Sequence, residues 1–294
     1  MKHTALQHIP FLTGLEVISD RYRAVLCDLW GVVHNGVEPY ETAVHALLRY
    51  REMGGIVLLL SNAPRPGPAI HLHLLELGVP DEAFDQIVTS GDLVQAHLMG
   101  LGPGGACYHM GPERDQPLFD GLELMRVSMD DADFIVCSGL RDDENETPED
   151  YQAEFEAGLE RDLTMICANP DRQVVRGDRV IYCGGALAAA YEKMGGRVVW
   201  FGKPYPKTYE AVSVILEDMT GDVLSGTSIL AIGDGLNTDI PGAQNAGMDS
   251  LLITGGLHFA DFGPDADLPE LEKVQDVCRA RELTPVGYQA RLIW

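Results

Sequence analysis

The stretch that decides the fold is residues 24–36, AVLCDLWGVVHNG. Four apolar residues lead straight into one carboxylate, Asp28, and Trp30 follows two positions later. Continuous apolar character, without polar alternation, is the pattern of a strand buried on both faces, as in a parallel sheet. A carboxylate at the end of such a strand is costly unless charge or hydrogen bonds meet it.

The same grammar repeats along the chain. IVLLL (56–60) ends at Ser61 and Asn62, and QIVTS (86–90) is a further buried strand. RVVWF (197–201) leads into Gly202, Lys203 and Pro204, SILAI (228–232) into Gly233 and Asp234, and SLLIT (250–254) into Gly255 and Gly256. Helical patterns lie between them. Residues 40–55, YETAVHALLRYREMGG, carry Val44, Leu47, Leu48 and Arg51 at helical spacing and close on Gly54 and Gly55; 69–78 and 208–219 read likewise. Strands alternating with helices predict an α/β fold with a doubly wound parallel sheet and right-handed crossovers. In such a sheet ligands bind beyond the carboxyl ends of the strands. Asp28, Ser61, Lys203 and Asp234 are therefore expected to meet in one crevice, although each alone reads equally as the cap of a following helix.

Residues 101–199 read differently. They open on the Gly-rich joint GLGPGG (100–105) and carry their own strands and helices, so they predict an inserted α/β domain, leaving 1–100 and 200–294 as a discontinuous core. Residues 1–20 read as a short helical extension. Thr147 predicts an N-cap, with Pro148 at the first helical position and acids in the first turn. The acidic run RDDENETPED (141–150) is a solvated face.

The whole chain has 294 residues, 46% of them apolar, and a formal charge of −24. Such a surface disfavours nucleic acid and anionic membranes as partners, while a metal or a lysine can reverse the field inside one pocket. Six scattered cysteines without a Cys-x-x-Cys pair fit the reducing cytoplasm. The first residues lack the pattern of a secretory signal, and no apolar run approaches the roughly 20 residues of a membrane span.

CDLWG (27–31), LLLSN (58–62), FGKP (201–204) and IGDGLNTDI (232–240), in this order, resemble the four motifs of the haloacid dehalogenase (HAD) superfamily. The GKP form, the GDxxxTD form and the hundred-residue insert, with its ANPD (168–171) and CGGALAAAYEKMGGR (183–197), are similar to class IIA. That branch contains the para-nitrophenyl-phosphate, pyridoxal-phosphate and sugar-phosphate phosphatases. The resemblance spans about residues 22–256 and implies a Rossmann-like core, a cap, a small phosphorylated substrate and, in some members, a homodimer through the cap.

Carried over residue by residue, Asp28 would be the nucleophile that forms an aspartyl-phosphate. Mg2+ would be held by Asp28, Asp234, the backbone carbonyl of Trp30 and Asp239, since magnesium favours hard oxygen ligands. DGLNTD (234–239) lacks the alternating acids of a calcium loop, and Asp239 also suits the cap of the helix after it. Ser61 and the N–H of Asn62 would bind phosphate oxygens, and Lys203 would pair with phosphate and the Asp28 carboxylate. Asn169 and Asp171 resemble the cap segment that selects the substrate.

Trp30 departs from the pattern. Phosphatases of this kind carry there an aspartate that protonates the leaving oxygen, help worth about 100- to 10,000-fold. Three consequences compete: a substrate with a good leaving group, a stand-in such as His34, or a catalytically weak protein that only binds a phosphometabolite. His34 also reads as a plain loop histidine. An aromatic residue at this position resembles the haloalkanoate dehalogenases too, which attack carbon without a metal; the intact Asp234 and Asp239 and the large cap argue for a phosphatase.

Overall fold

The computed structural model describes residues 8–177 and 179–294. Residues 1–7 of the expected N-terminal extension lie outside the described residues. In chain order the strands are β1 (Ala24–Cys27), β2 (Ile56–Ser61), β3 (Gln86–Thr89), β4 (Ala106–Met110), β5 (Met125–Arg126), β6 (Phe134–Cys137) and β7 (Thr164–Cys167). They continue with β8 (Gln173–Arg176), β9 (Arg179–Tyr182), β10 (Arg197–Trp200), β11 (Ile229–Gly233), β12 (Asp249–Ile253) and β13 (Gly287–Gln289).

The chain forms two compact units. One takes residues up to Leu60, Leu74–Gln86 and Tyr209–Trp294; the other takes Ser61–His73 and Ile87–Thr208. The first unit is a parallel sheet in the order β13-β12-β11-β1-β2. The chain runs outward from β1 to β2, then returns to the other side of β1 with β11, β12 and β13. The order thus reverses at the β1–β11 pair, which is the place where an open α/β sheet leaves a crevice at its carboxyl edge. β1 is buried throughout, as its unbroken apolar run requires. Beyond β11, the helices Asp239–Asn245 and Leu271–Ala280 bury Ile240, Val274 and Cys278 with Leu252, Phe262 and Tyr288 in one apolar cluster.

The second unit holds a parallel sheet in the order β10-β7-β6-β4-β5, and the antiparallel hairpin β8–β9. Successive side chains of a strand face opposite sides, and the packing follows that period. Ile135, Cys137, Met165 and Cys167 join the core of Tyr151, Phe155, Leu187 and Tyr191 on one face. Val136 and Ile166 join Val94, Leu98, Leu118 and Phe201 on the other. The expected cap, 101–199, lies within this unit, which also takes in 61–73, 87–100 and 200–208 of the expected core.

Two expectations are corrected. The strand before Lys203 reads in sequence as part of the same sheet as β1 and β11, but β10 pairs with β7. Apolar runs report a buried parallel strand and carry no information about which of two such sheets it joins. The described part of the N-terminal extension is mostly not helical: only Glu16–Ser19 forms a helical turn. Instead the Leu12 N–H donates to the Tyr288 carbonyl at 2.9 Å, and the Tyr288 N–H donates to Pro10 at 3.0 Å. This segment therefore runs as a strand-like strap beside β13, and tertiary pairing overrides its helical pattern. The Thr147 reading is matched by a capping box with Asp150. No helix among the described residues is long and apolar enough to cross a membrane.

Candidate active site

In the first unit, the ladder of β1 and β11 extends one step past the strand end, where the Asp28 N–H donates to the Ile232 carbonyl at 2.8 Å. The Asp28 side chain is therefore fixed at the carboxyl edge, and Asp234 follows the last residue of the adjacent strand. Asp28, Asp234 and Asp239 each offer a carboxylate oxygen within 4.8 Å of the others, and all three are buried. Three such anions repel each other strongly in a low-dielectric setting. A hard divalent cation is the partner that oxygen-only donors at this spacing suit, and the residues present fit Mg2+.

Glycines shape this cradle. A Cβ on Gly31, whose φ is +85°, would stand 2.2 Å from Asp234 Oδ2, and one on Gly256 would stand 1.9 Å from the same oxygen. The carboxylate thus threads between two backbones that tolerate no side chain. Its Oδ2 accepts the Leu257 N–H at 2.7 Å. Asp239 opens its helix and accepts the Gly235 N–H at 3.1 Å and the Thr238 hydroxyl at 3.2 Å. The competing readings of Asp239, loop cap and metal ligand, are thus compatible. Among the described residues, Gly31, Gly256 and Leu257 are the part of this site that the sequence reading left unassigned; Gly256 at a strand end was the available signal.

Trp30 is half-buried, with its ring edge-on to His34 at a centroid distance of 5.2 Å and an interplanar angle of 69°. His34 is 3% exposed, and its Nδ1 accepts the Gly36 N–H at 3.0 Å. The histidine thus braces the turn that follows Asp28, with one ring nitrogen already engaged.

The second unit gathers the other expected residues around one amide. Asn62 Oδ1 accepts the Lys203 N–H at 2.7 Å, while Asn62 Nδ2 donates to the Lys203 carbonyl at 3.2 Å and to Asp171 Oδ1 at 2.8 Å. The Asp171 N–H in turn donates to Asn169 Oδ1 at 3.1 Å. Gly202 sits at φ +95°, and a Cβ there would lie 2.6 Å from Asn62 Oδ1 and 2.7 Å from Pro170 Cγ. Three segments far apart in sequence, at 61–62, 169–171 and 202–203, are therefore locked together. The glycine of FGKP lets them close. Ser61, at the end of β2, accepts the Ala63 N–H on its hydroxyl at 3.1 Å, a local turn that leaves its O–H as a donor. Lys203 is only 2% exposed, a burial that an ammonium tolerates only with charged or polar company.

Comparisons with known proteins agree with this architecture. The haloacid dehalogenase-like hydrolase family profile matches residues 25–124, and a second HAD-hydrolase-like profile matches residues 200–274. The D-glycerol 3-phosphate phosphatase of Mycobacterium tuberculosis is 30% identical over 254 residues, covering 84% of this chain and 67% of the relative. A crystal structure of a haloacid dehalogenase-like family hydrolase from Brucella suis 1330 superposes with a TM-score of 0.85 at 41% identity, covering 96% of this chain and all of that one. The glycerol phosphate phosphatase of M. tuberculosis in complex with magnesium matches with a TM-score of 0.63 at 25% identity, over 84% of this chain and 73% of that chain. The chain belongs to the haloacid dehalogenase-like hydrolase family.

Proposed function

We propose that this hydrolase is a magnesium-dependent phosphatase of small phosphorylated metabolites, sugar phosphates or aryl- and acyl-phosphate-like compounds, acting through an aspartyl-phosphate at Asp28. The observation that carries the reading is the trio Asp28, Asp234 and Asp239, buried within ligand distance of one another at the switch point of the sheet. The glycerol phosphate phosphatase among the relatives, and its magnesium complex, support it.

Asp28, Asp234, Asp239 and the Trp30 carbonyl would hold Mg2+. When bound, the ion offsets the repulsion between the Asp28 carboxylate and an anionic phosphate. An oxygen of Asp28, held at the strand end by the Ile232 carbonyl, attacks phosphorus as the bond to the leaving oxygen breaks. In this scheme the Ser61 hydroxyl and the Asn62 N–H donate to phosphate oxygens. Lys203 contributes the ammonium that compensates charge in the transition state. Asn169 and Asp171 select the organic group. His34 is the candidate proton carrier beside this turn, and its Nδ1 accepts the Gly36 N–H.

Attack on carbon, as in a dehalogenase, calls for no metal and so gives the gathering of three buried carboxylates no role, and the trio therefore favours phosphate. Trp30 in place of an acid favours a second reading, a weak enzyme or sensor that binds a phosphometabolite. Cytoplasmic location accords with six buried cysteines that form no disulfide. A homodimer through the cap completes the proposal, and sedimentation at working concentration reads it.

Hydrolysis of a broad panel of phosphate esters, with and without Mg2+, tests the function. Metal-dependent release of phosphate that disappears in Asp28→Asn supports the phosphatase. A phosphate-dependent rise in melting temperature without any turnover supports the sensor.

A further inference from the structure

The pairing of the arginines sets one of them apart. The sequence holds sixteen, and fifteen meet a carboxylate, a backbone carbonyl or an aromatic ring. Arg172 alone has no hydrogen bond, ion pair or ring contact among the described residues, and it is exposed. With 45 acidic residues to 21 basic ones, carboxylates are plentiful in this chain, yet this guanidinium meets none of them. Its neighbours fix its place. Asn62 Nδ2 holds Asp171 at 2.8 Å, and the Arg172 carbonyl accepts the Cys183 N–H at 3.0 Å. Arg172 therefore adjoins the segment that Asn62 joins to the Lys203 turn. Two residues past Lys203, Tyr205 donates its N–H to the Gly202 carbonyl at 3.0 Å. Its half-buried ring stacks on Trp200, with centroids 5.7 Å apart and planes 14° from parallel, and the Trp200 N–H donates to Glu192 Oε1 at 3.3 Å. The Tyr205 hydroxyl has no hydrogen-bond partner among the described residues. Burial pushes this phenol up to about 12, against the opposing charge of Arg172, so the hydroxyl keeps its proton at neutral pH and lies within electrostatic reach of the guanidinium.

Resting on the proposed phosphatase function, we infer that Arg172, with the Tyr205 hydroxyl as a second donor, binds an anionic oxygen group on the organic part of the substrate. The preferred esters then carry a carboxylate or a second phosphate besides the phosphate that is released. Both donors stand beside Asn62 and Lys203, the residues assigned to the phosphate, and neither has a partner within the protein to give up. A guanidinium meets a carboxylate or a phosphate through paired N–H donors, with a charge and a geometry that a neutral hydroxyl of the substrate does not match. Hydrogen bonds to charged groups of this kind are worth about tenfold or more in affinity.

The test is kcat/KM of the enzyme with Mg2+ on two matched pairs, 3-phosphoglycerate against glycerol 3-phosphate and fructose 1,6-bisphosphate against fructose 6-phosphate. In at least one pair the ester with the additional anionic group should be favoured at least about tenfold, and the pair that shows it distinguishes carboxylate from phosphate. Arg172→Gln should erase that preference through KM, with a loss on the favoured ester at least about tenfold larger than on p-nitrophenyl phosphate. Arg172→Lys should restore part of it, and Tyr205→Phe should lower it by a smaller factor. Because the Arg172 side chain has no partner to lose, Arg172→Gln should melt with the wild type. No preference in either pair, or a preference that survives Arg172→Gln, overturns this inference and leaves the phosphatase reading standing. Hydrolysis of none of the esters, p-nitrophenyl phosphate included, overturns both.

Discussion

The Asn62 side chain grips the Lys203 backbone from both sides, with Oδ1 accepting its N–H at 2.7 Å and Nδ2 donating to its carbonyl at 3.2 Å. The Ser61–Asn62 turn and the Gly202–Lys203 turn are thus one object, although 141 residues separate Asn62 from Lys203. Asn62→Asp replaces a donor with a second acceptor facing both the Lys203 carbonyl and Asp171 Oδ1. Leaving such groups mismatched in a buried site costs about 1–3 kcal/mol. The variant should melt several degrees lower and lose most of its kcat/KM, read by thermal denaturation and steady-state kinetics. Wild-type stability and activity in Asn62→Asp would show that the amide does not hold the lysine turn.

The glycines around Asp234 make a second prediction. Gly256→Ala sets a methyl carbon 1.9 Å from Asp234 Oδ2 in the present geometry, so the carboxylate must move. Disturbing the groups that orient a ligand typically costs about 10- to 100-fold in metal affinity. Calorimetric titration with Mg2+ should show that loss while the far-ultraviolet circular dichroism is unchanged. Chelation with EDTA should abolish turnover in the wild type, and added Mg2+ should restore it.

A third prediction concerns acid stability. Burial, aided by the nearby Arg126 guanidinium, holds the His109 imidazole down to about 4 from the ordinary 6.5, and its Nε2 lies 2.9 Å from the Ser138 hydroxyl. The unfolded chain therefore binds a proton between about pH 6.5 and 4 that the folded chain does not. Stability rises with pH across that window and is lost as pH falls through it, by about 3 kcal/mol in total from this group. His109→Gln should shrink the drop in melting temperature between pH 7 and pH 4.5, measured against the wild type in the same buffers. An equal drop in both proteins would assign acid sensitivity elsewhere, for example to the Arg114–Asp143–Arg176 ion cluster.

Much of this architecture was legible in the residues. Apolar runs ending in Asp28, Ser61 and Asp234 mark buried parallel strands, because only a strand covered on both faces forgoes polar alternation. The helix Glu41–Glu52 follows equally well from its spacing and its closing glycines. Sheet membership was not legible: β10 has the same apolar run as β11 and packs elsewhere, since pairing partners are set by long-range contacts. β13 (Gly287–Gln289) is too short to show a pattern and exists through its bonds to β12 and to the N-terminal strap. In the site, the charged side chains announced themselves by type and spacing. The backbone that shapes them, Gly31, Gly202 and Gly256, did not, because a glycine's role depends on which atoms come to lie against it.

The central claim is that Asp28 takes the phosphoryl group. The direct measurement is acid quenching of the enzyme with Mg2+ and an isotopically labelled aryl phosphate, followed by peptide mapping under conditions that preserve acyl phosphates. The account predicts label on the peptide carrying Asp28, absent from Asp28→Asn and removed by hydroxylamine. Label on another residue, or turnover by Asp28→Asn at the wild-type rate, would contradict it.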